Sequence, residues 1–120
     1  MSDYLPKFKT GDPFTLPTSG AVTGGRLVAV SGAGTVAHTG DDSAVCAGVA
    51  AFDAASGDQL TIYPRPGIHR LTASGAIAAA ARIAADAAGK VQTIGSNTNP
   101  IGTALTAAAA DGDVIDVLLD

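Results

Sequence analysis

The chain has 120 residues, a formal net charge of −4, one cysteine, no tryptophan and only two tyrosines and three phenylalanines. That length makes one domain with one modest core, burying something under about 70% of the surface its unfolded form exposes. The acidic balance excludes a phosphate-tracking surface and so a nucleic-acid partner. The single cysteine excludes an intramolecular disulfide and a cysteine metal cage.

Residues 1–18 differ in composition from the rest of the chain. Tyr4, Phe8 and Phe14 are three of the five aromatic residues, set among Pro6, Pro13, Pro17, Lys7 and Lys9. Prolines at this density resist helix and favour extended backbone. The stretch reads as an extended N-terminal arm that either docks onto a partner or folds back over its own domain. Residues 19–120 then form a single β-domain.

Within that domain Arg26–Val30 is a short β-branched run, Ser31-Gly32-Ala33-Gly34 a turn and Thr35–His38 a returning strand, together a hairpin. The polar loop Thr39–Ser43 leads into a central strand over Val45–Phe52. Gly57-Asp58 then turns the chain into Leu60–Tyr63, which alternates apolar and polar as a half-buried strand does. Pro64-Arg65-Pro66-Gly67 is a turn, and Ile68–Leu71 is predicted as a strand bridging two halves of the domain. Ala76–Gly89 has the propensity of a helix, with Ser74 to cap it and Gly89 to stop it. Lys90–Ile94 comes next as a strand, and after the loop Gly95–Pro100 the chain closes through Ile101–Leu105 and Val114–Leu118.

An internal repeat decides between these local readings. Offset by 55 residues, Ser19-Gly20-Ala21-Val22 meets Ser74-Gly75-Ala76-Ile77, Gly34-Thr35-Val36 meets Gly89-Lys90-Val91, Gly40 meets Gly95 and Gly57-Asp58 meets Gly112-Asp113. Residues 19–63 and 74–118 are therefore two duplicated halves. The partner of the alanine-rich stretch is glycine-broken and cannot be helical throughout. Strand is expected from Arg82, with a turn of helix near Ile77–Ala81 left open.

Candidate chemistry is thin. Gly32-Ala33-Gly34-Thr35-Val36-Ala37 fits a dinucleotide fingerprint, but the mechanism needs a helix to open at the glycines and Thr35–Ser43 does not favour one. Asp111, Asp113 and Asp116 resemble an abbreviated calcium loop without its bidentate Glu, so a solvated turn is the better reading. His38 and His69 have no partner at a telling spacing, and Ser19 and Ser74 lie in no nucleophile elbow. Cys46 has apolar flanks and reads as a buried, inert thiol. No catalytic residue, metal or cofactor is expected. With no apolar run long enough to span a bilayer and no signal-peptide pattern, the sequence predicts a soluble protein made in a cytoplasm, with no membrane partner. The competing class is a β-rich adhesion or carbohydrate-binding domain, for which Phe52 and Tyr63 alone make a poor aromatic platform.

The order of a proline-bearing arm, Ala21–Val28, Gly34–Ala37, Ala47–Ala50, Gly57–Tyr63 and Ile101–Leu105 to Val114–Leu118 resembles the small capsid decoration, or cement, proteins of tailed bacteriophages. The pattern over Val45–Tyr63 with Gly67-Ile68 is also similar to the lambda-type head decoration protein. The resemblance implies an all-β fold, a small β-barrel or β-tulip-like domain of two halves. It also implies a structural protein, commonly a homotrimer, that binds the major capsid protein on the outside of the expanded head and stabilises it. The capsid-binding arm would fall on Tyr4, Leu5, Lys7, Phe8, Lys9 and Phe14, adding a strand to the capsid subunit. The sequence departs from this family at Ala78–Ala81, where relatives tend to carry a glycine before the strand.

Overall fold

The computed structural model describes residues 11–120, and within them the fold is all-β. Strands β1 (Phe14–Pro17), β2 (Leu27–Gly32), β3 (Thr35–His38), β4 (Cys46–Ala50) and β5 (Gln59–Pro64) form one antiparallel sheet in the order β1-β5-β4-β2-β3. Strands β6 (Gly67–Thr72), β7 (Arg82–Ala85), β8 (Val91–Thr93), β9 (Pro100–Ala104) and β10 (Val114–Leu119) form a second, in the order β6-β10-β9-β7-β8. Each strand of the first sheet thus has its counterpart, in the same place, in the second.

The register shows how far the duplication reaches. Thr15 pairs with Thr61 in the first sheet, and Arg70 pairs with Asp116 in the second, both partners moved on by 55 residues. The chain just after each first strand then curls back to the opposite edge through one parallel bridge, Thr18 to Val36 and Ala73 to Val91. Neither sheet closes into a barrel. The central strands run one residue out of step: Gly48 opposes Pro64 while Gly102 opposes Leu119, so β4 maps to β9 by 54 residues (48 to 102) and β5 to β10 by 55 (64 to 119). The shift is undone by an extra residue at Ala109, since Ala54 bridges Val22 as Ala108 bridges Ile77, yet Asp58 N–H reaches Ala55 as Asp113 N–H reaches Ala110.

Two consequences differ from the sequence reading. The strand over Ile68–Leu71 does not bridge the halves; β6 lies at the edge of the second sheet against β10 and is the counterpart of β1. The first half therefore begins at Phe14, inside the stretch assigned to the arm. Only Leu16 and Leu71 are shared between β1 and β6, too little for the repeat to be seen there.

The alanine-rich segment makes no helix near Ile77–Ala81. Ile77 bridges Ala108, and the Ala80 N–H donates to the Ala104 carbonyl at 2.8 Å as the Gly25 N–H does to Ala50. Ala80 even takes the left-handed conformation of Gly25, with φ 70 against 80. The strand expected from Arg82 is β7, and the one helical element there is a single 3-10 turn, Ala87–Gly89, capped by the Asp86 carboxylate. Pairing with neighbouring strands overrides alanine's helix propensity, which is worth only tenths of a kcal/mol per residue.

Alternation builds the core. Leu60 and Ile62 of β5 point inward with Val22, Val28, Val36 and Ala50, and Phe14 and Leu16 lean on them. Ile115, Val117 and Leu119 of β10 do the same in the second half with Leu71, Ile83, Val91 and Ile101. Each such side chain contributes roughly 1.5–3 kcal/mol when fully buried. Leu27 and Val49 leave their own half's core and pack into that of the other, joining the two.

Candidate functional site

Of the predicted arm residues, Tyr4, Leu5, Lys7, Phe8 and Lys9 lie outside the described residues. Phe14 opens β1 opposite Ile62 and is half-buried against the first core, at the edge of its sheet. What the described residues offer is surface, with no pocket among them.

One exposed surface with apolar side chains is the outer face of the second sheet. β10 reads Val114-Ile115-Asp116-Val117-Leu118-Leu119, with all three inward residues apolar and two of the three outward ones, Val114 and Leu118, apolar as well. Its outward residues continue across the sheet. Ile68, Leu118, Thr103 and Arg82 are successive Cα partners along one row. Arg70 and Asp116 pair in the next row, and Thr72 and Val114 in the one beyond. Ile68 is 64% exposed and Val114 54%, and Leu105 and Leu118 are exposed beside them. An Arg82–Asp120 ion pair at 2.7 Å closes one margin, and the guanidinium holds the Asp120 carboxyl below its ordinary range. The sequence carried this signal in Val114 and Leu118, apolar at outward positions of β10, which a reading of the inward alternation passes over.

The residues weighed for chemistry are committed to structure. His38 Nε2 accepts the Thr23 N–H at 2.9 Å, and burial with the nearby Arg26 charge holds its pKa below the ordinary value. Asp113 accepts from the Ala109 and Ala110 N–H groups, while Asp111 pairs with Lys90 and Asp116 with Arg70. Ser74 Oγ donates to the Asp86 carboxylate at 2.6 Å, bracing the 3-10 turn. The Gly32–Ala37 fingerprint is the β2–β3 hairpin, with no helix after its glycines. Cys46 is partly buried against the second core, and that burial pushes its thiol up against a smaller opposing pull from Arg65.

Sequence reasoning missed the seam between the halves. The Asp42 carboxylate accepts the Thr98 and Asn99 N–H groups at 3.0 Å each, and Asn99 Nδ2 donates back to the Asp42 carbonyl. Thr39 Oγ1, fully enclosed, donates to the Asp86 carbonyl at 2.9 Å, and the Asp42 N–H donates to Ala85. These polar residues sit in loops without a recognisable motif, so only the fold brings them together.

Comparison with curated proteins finds no match. Among solved structures, the fold is shared with the N base of head fiber gp8.5 in bacteriophage phi29, with a TM-score of 0.76 at 20% identity, covering 91% of this chain and 93% of that one. The family model described as phage cement protein matches residues 8–119, from the predicted arm to the last strand. The chain belongs to the phage cement protein family.

Proposed function

We propose that the protein is a homotrimeric capsid decoration protein that binds the major capsid protein on the outer surface of the expanded phage head and stabilises it. The observation that carries this reading is membership of the cement family over residues 8–119. The surface supports it, because exposed apolar side chains clustered on one sheet face are what a particle-bound protein covers. The role is structural: affinity comes from main-chain pairing and buried side chains, not from a reaction.

In this reading Tyr4, Leu5, Lys7, Phe8 and Lys9 extend from the sheet edge at Phe14 and add a strand to a capsid subunit. Main-chain hydrogen bonds supply affinity, aromatic side chains fill pockets and the two lysines meet acidic groups. Trimerisation gives a domain with a thin core more apolar surface to bury. The test is co-sedimentation of the full chain with expanded, undecorated heads, followed by reconstruction of the particles. Regular density for three copies per site, with heads gaining resistance to heat, supports the reading. Failure to bind expanded heads overturns it.

A further inference from the structure

The seam between the halves has two sides, and the duplication copies each side onto the other half, where both stand open. The first half presents Leu27, Thr39, Asp42 and Val49 to the second, which receives them with Ala85, Asp86, Gly89 and Asn99. By the 55-residue offset, or 54 from the loop before β4 through β4 itself, the presenting side recurs in the second half at Arg82, Ile94, Ser96 and Thr103. The receiving side recurs in the first half at Val30, Ser31, Gly34 and Val45.

The receiving copy is built like its covered counterpart. At Gly89 a Cβ would lie 2.6 Å from the Leu27 carbonyl oxygen, so close is the first half; φ there is 71. Gly34 holds φ 72, and a Cβ on it would meet nothing within 4 Å. Val30, the counterpart of covered Ala85, is 52% exposed, and Val45, the counterpart of Asn99, is 54% exposed. The two are neighbours, the Val30 N–H donating to the Val45 carbonyl. Asn99, which bonds to Asp42 across the internal seam, is replaced in the open copy by Val45, and Ala85 by the larger Val30, while Ser31 keeps a polar side chain at the place of Asp86. The presenting copy gains an apolar side chain where enclosed Thr39 becomes Ile94, and carries Arg82 and Thr103 where Leu27 and Val49 stand.

The two open sets also face away from each other. β2 leads from the seam at Leu27 to the hairpin turn beside Gly34, about 17–20 Å away at strand rise, while β7 leads from Arg82 to the seam at Ala85. We infer that the occupant of the Val30/Val45 patch is a second copy of this chain, whose Arg82/Ile94 end docks there as the first half docks on the second. Such a contact is head to tail and forms a ring where its rotation closes. The inference rests on the homo-oligomer reading above and assigns its interface.

Paired cysteines test it, because Thr39 meets Asp86 directly and their counterparts are Ile94 and Ser31. In a Cys46→Ala background, Ile94→Cys and Ser31→Cys are made singly and together, checked for an unchanged melt, and oxidised with copper–phenanthroline both free and on heads. The double variant should give a covalent ladder ending at the ring size. Mixed single variants should stop at dimers, and neither single variant should cross-link alone. Native mass spectrometry and particle reconstruction run in parallel. An oligomer without cross-links overturns the interface and leaves the oligomer standing; a monomer both free and on heads removes the oligomer reading itself. Cross-linking of the Ser31→Cys copy to the capsid subunit, or a ladder that appears only after residues 1–10 are deleted, gives the patch to another occupant and likewise overturns the inference.

Discussion

Asp42 and Asn99 hold each other from both sides, the Asn99 N–H donating to the Asp42 carboxylate at 3.0 Å while the Asn99 side-chain amide donates to the Asp42 carbonyl at 3.0 Å. One residue belongs to the first half and the other to the second, so this exchange fixes how the halves meet. Asp42→Ala removes the acceptor for three donors at once, Thr98 Oγ1 included. Differential scanning calorimetry should show a melting temperature lowered by several degrees, or two resolved transitions where the parent has one. An unchanged single transition would show that the Leu27 and Val49 contacts suffice.

Acid acts on the fold in two windows. His38 has its pKa held below 6.5 in the folded chain by burial and then by Arg26, so between that folded value and 6.5 the unfolded chain binds more protons. Stability from this residue is complete above 6.5 and is lost as pH falls through the folded value, where a proton on Nε2 would also displace the Thr23 N–H. Asp42 and Asp120 are lowered from 3.8, by hydrogen bonds from Thr98 and from Arg82 respectively, and their contribution goes only when pH falls further, through their folded values. Thermal melts from pH 8 to pH 3 should therefore decline in two steps. His38→Gln should flatten the upper step alone; an upper step that survives it belongs to another group.

Gly48 and Gly102 occupy matching places in the central strands. A methyl group at either would run into a backbone carbonyl oxygen of the neighbouring strand, that of Tyr63 or of Leu118. Neither neighbour is a flexible side-chain end, so the strands must part. Gly48→Ala and Gly102→Ala should each cost about 3 kcal/mol or more by urea unfolding, at the upper end of overpacking effects. A loss below about 1 kcal/mol would mean that the sheets part more easily than their register implies.

The duplication was legible because turns keep their glycines, and the hydrogen bonds at Thr18, Ser19 and Gly57 recur at Ala73, Ser74 and Gly112. β1 was hidden because a four-residue strand sharing one leucine with its counterpart carries no statistical weight beside prolines and aromatics that read as an arm. The seam was hidden because its polar groups are spread over three loops. Ala80 shows the reverse case, where the missing glycine is itself informative: an alanine held at φ 70 costs about 1–2 kcal/mol relative to an unstrained conformation. Ala80→Gly should stabilise the domain by about 0.5–1 kcal/mol after the added freedom of the unfolded chain is counted. Chemical denaturation would show it as a higher midpoint with an unchanged slope.

Phe14 separates the arm from the domain. It is paired opposite Ile62 and packed on the first core, whereas Tyr4, Leu5, Lys7, Phe8 and Lys9 precede the described residues. If those five carry capsid binding, deleting residues 1–10 should abolish co-sedimentation with expanded heads while leaving the melt of the free protein unchanged. Phe14→Ala should instead destabilise the free domain by about 1–2 kcal/mol, less than the 3–5 typical of a fully enclosed phenylalanine, because this one is half-buried. Phe8→Ala should weaken binding by about 2 kcal/mol without moving the melt, as loss of a buried aromatic anchor does. The two readouts divide the possibilities: a shortened chain that binds heads normally moves the capsid contact onto the folded domain, with the exposed face around Ile68 and Val114 the next surface to mutate, while a shortened chain that melts early makes residues 1–10 part of the fold that Phe14 begins.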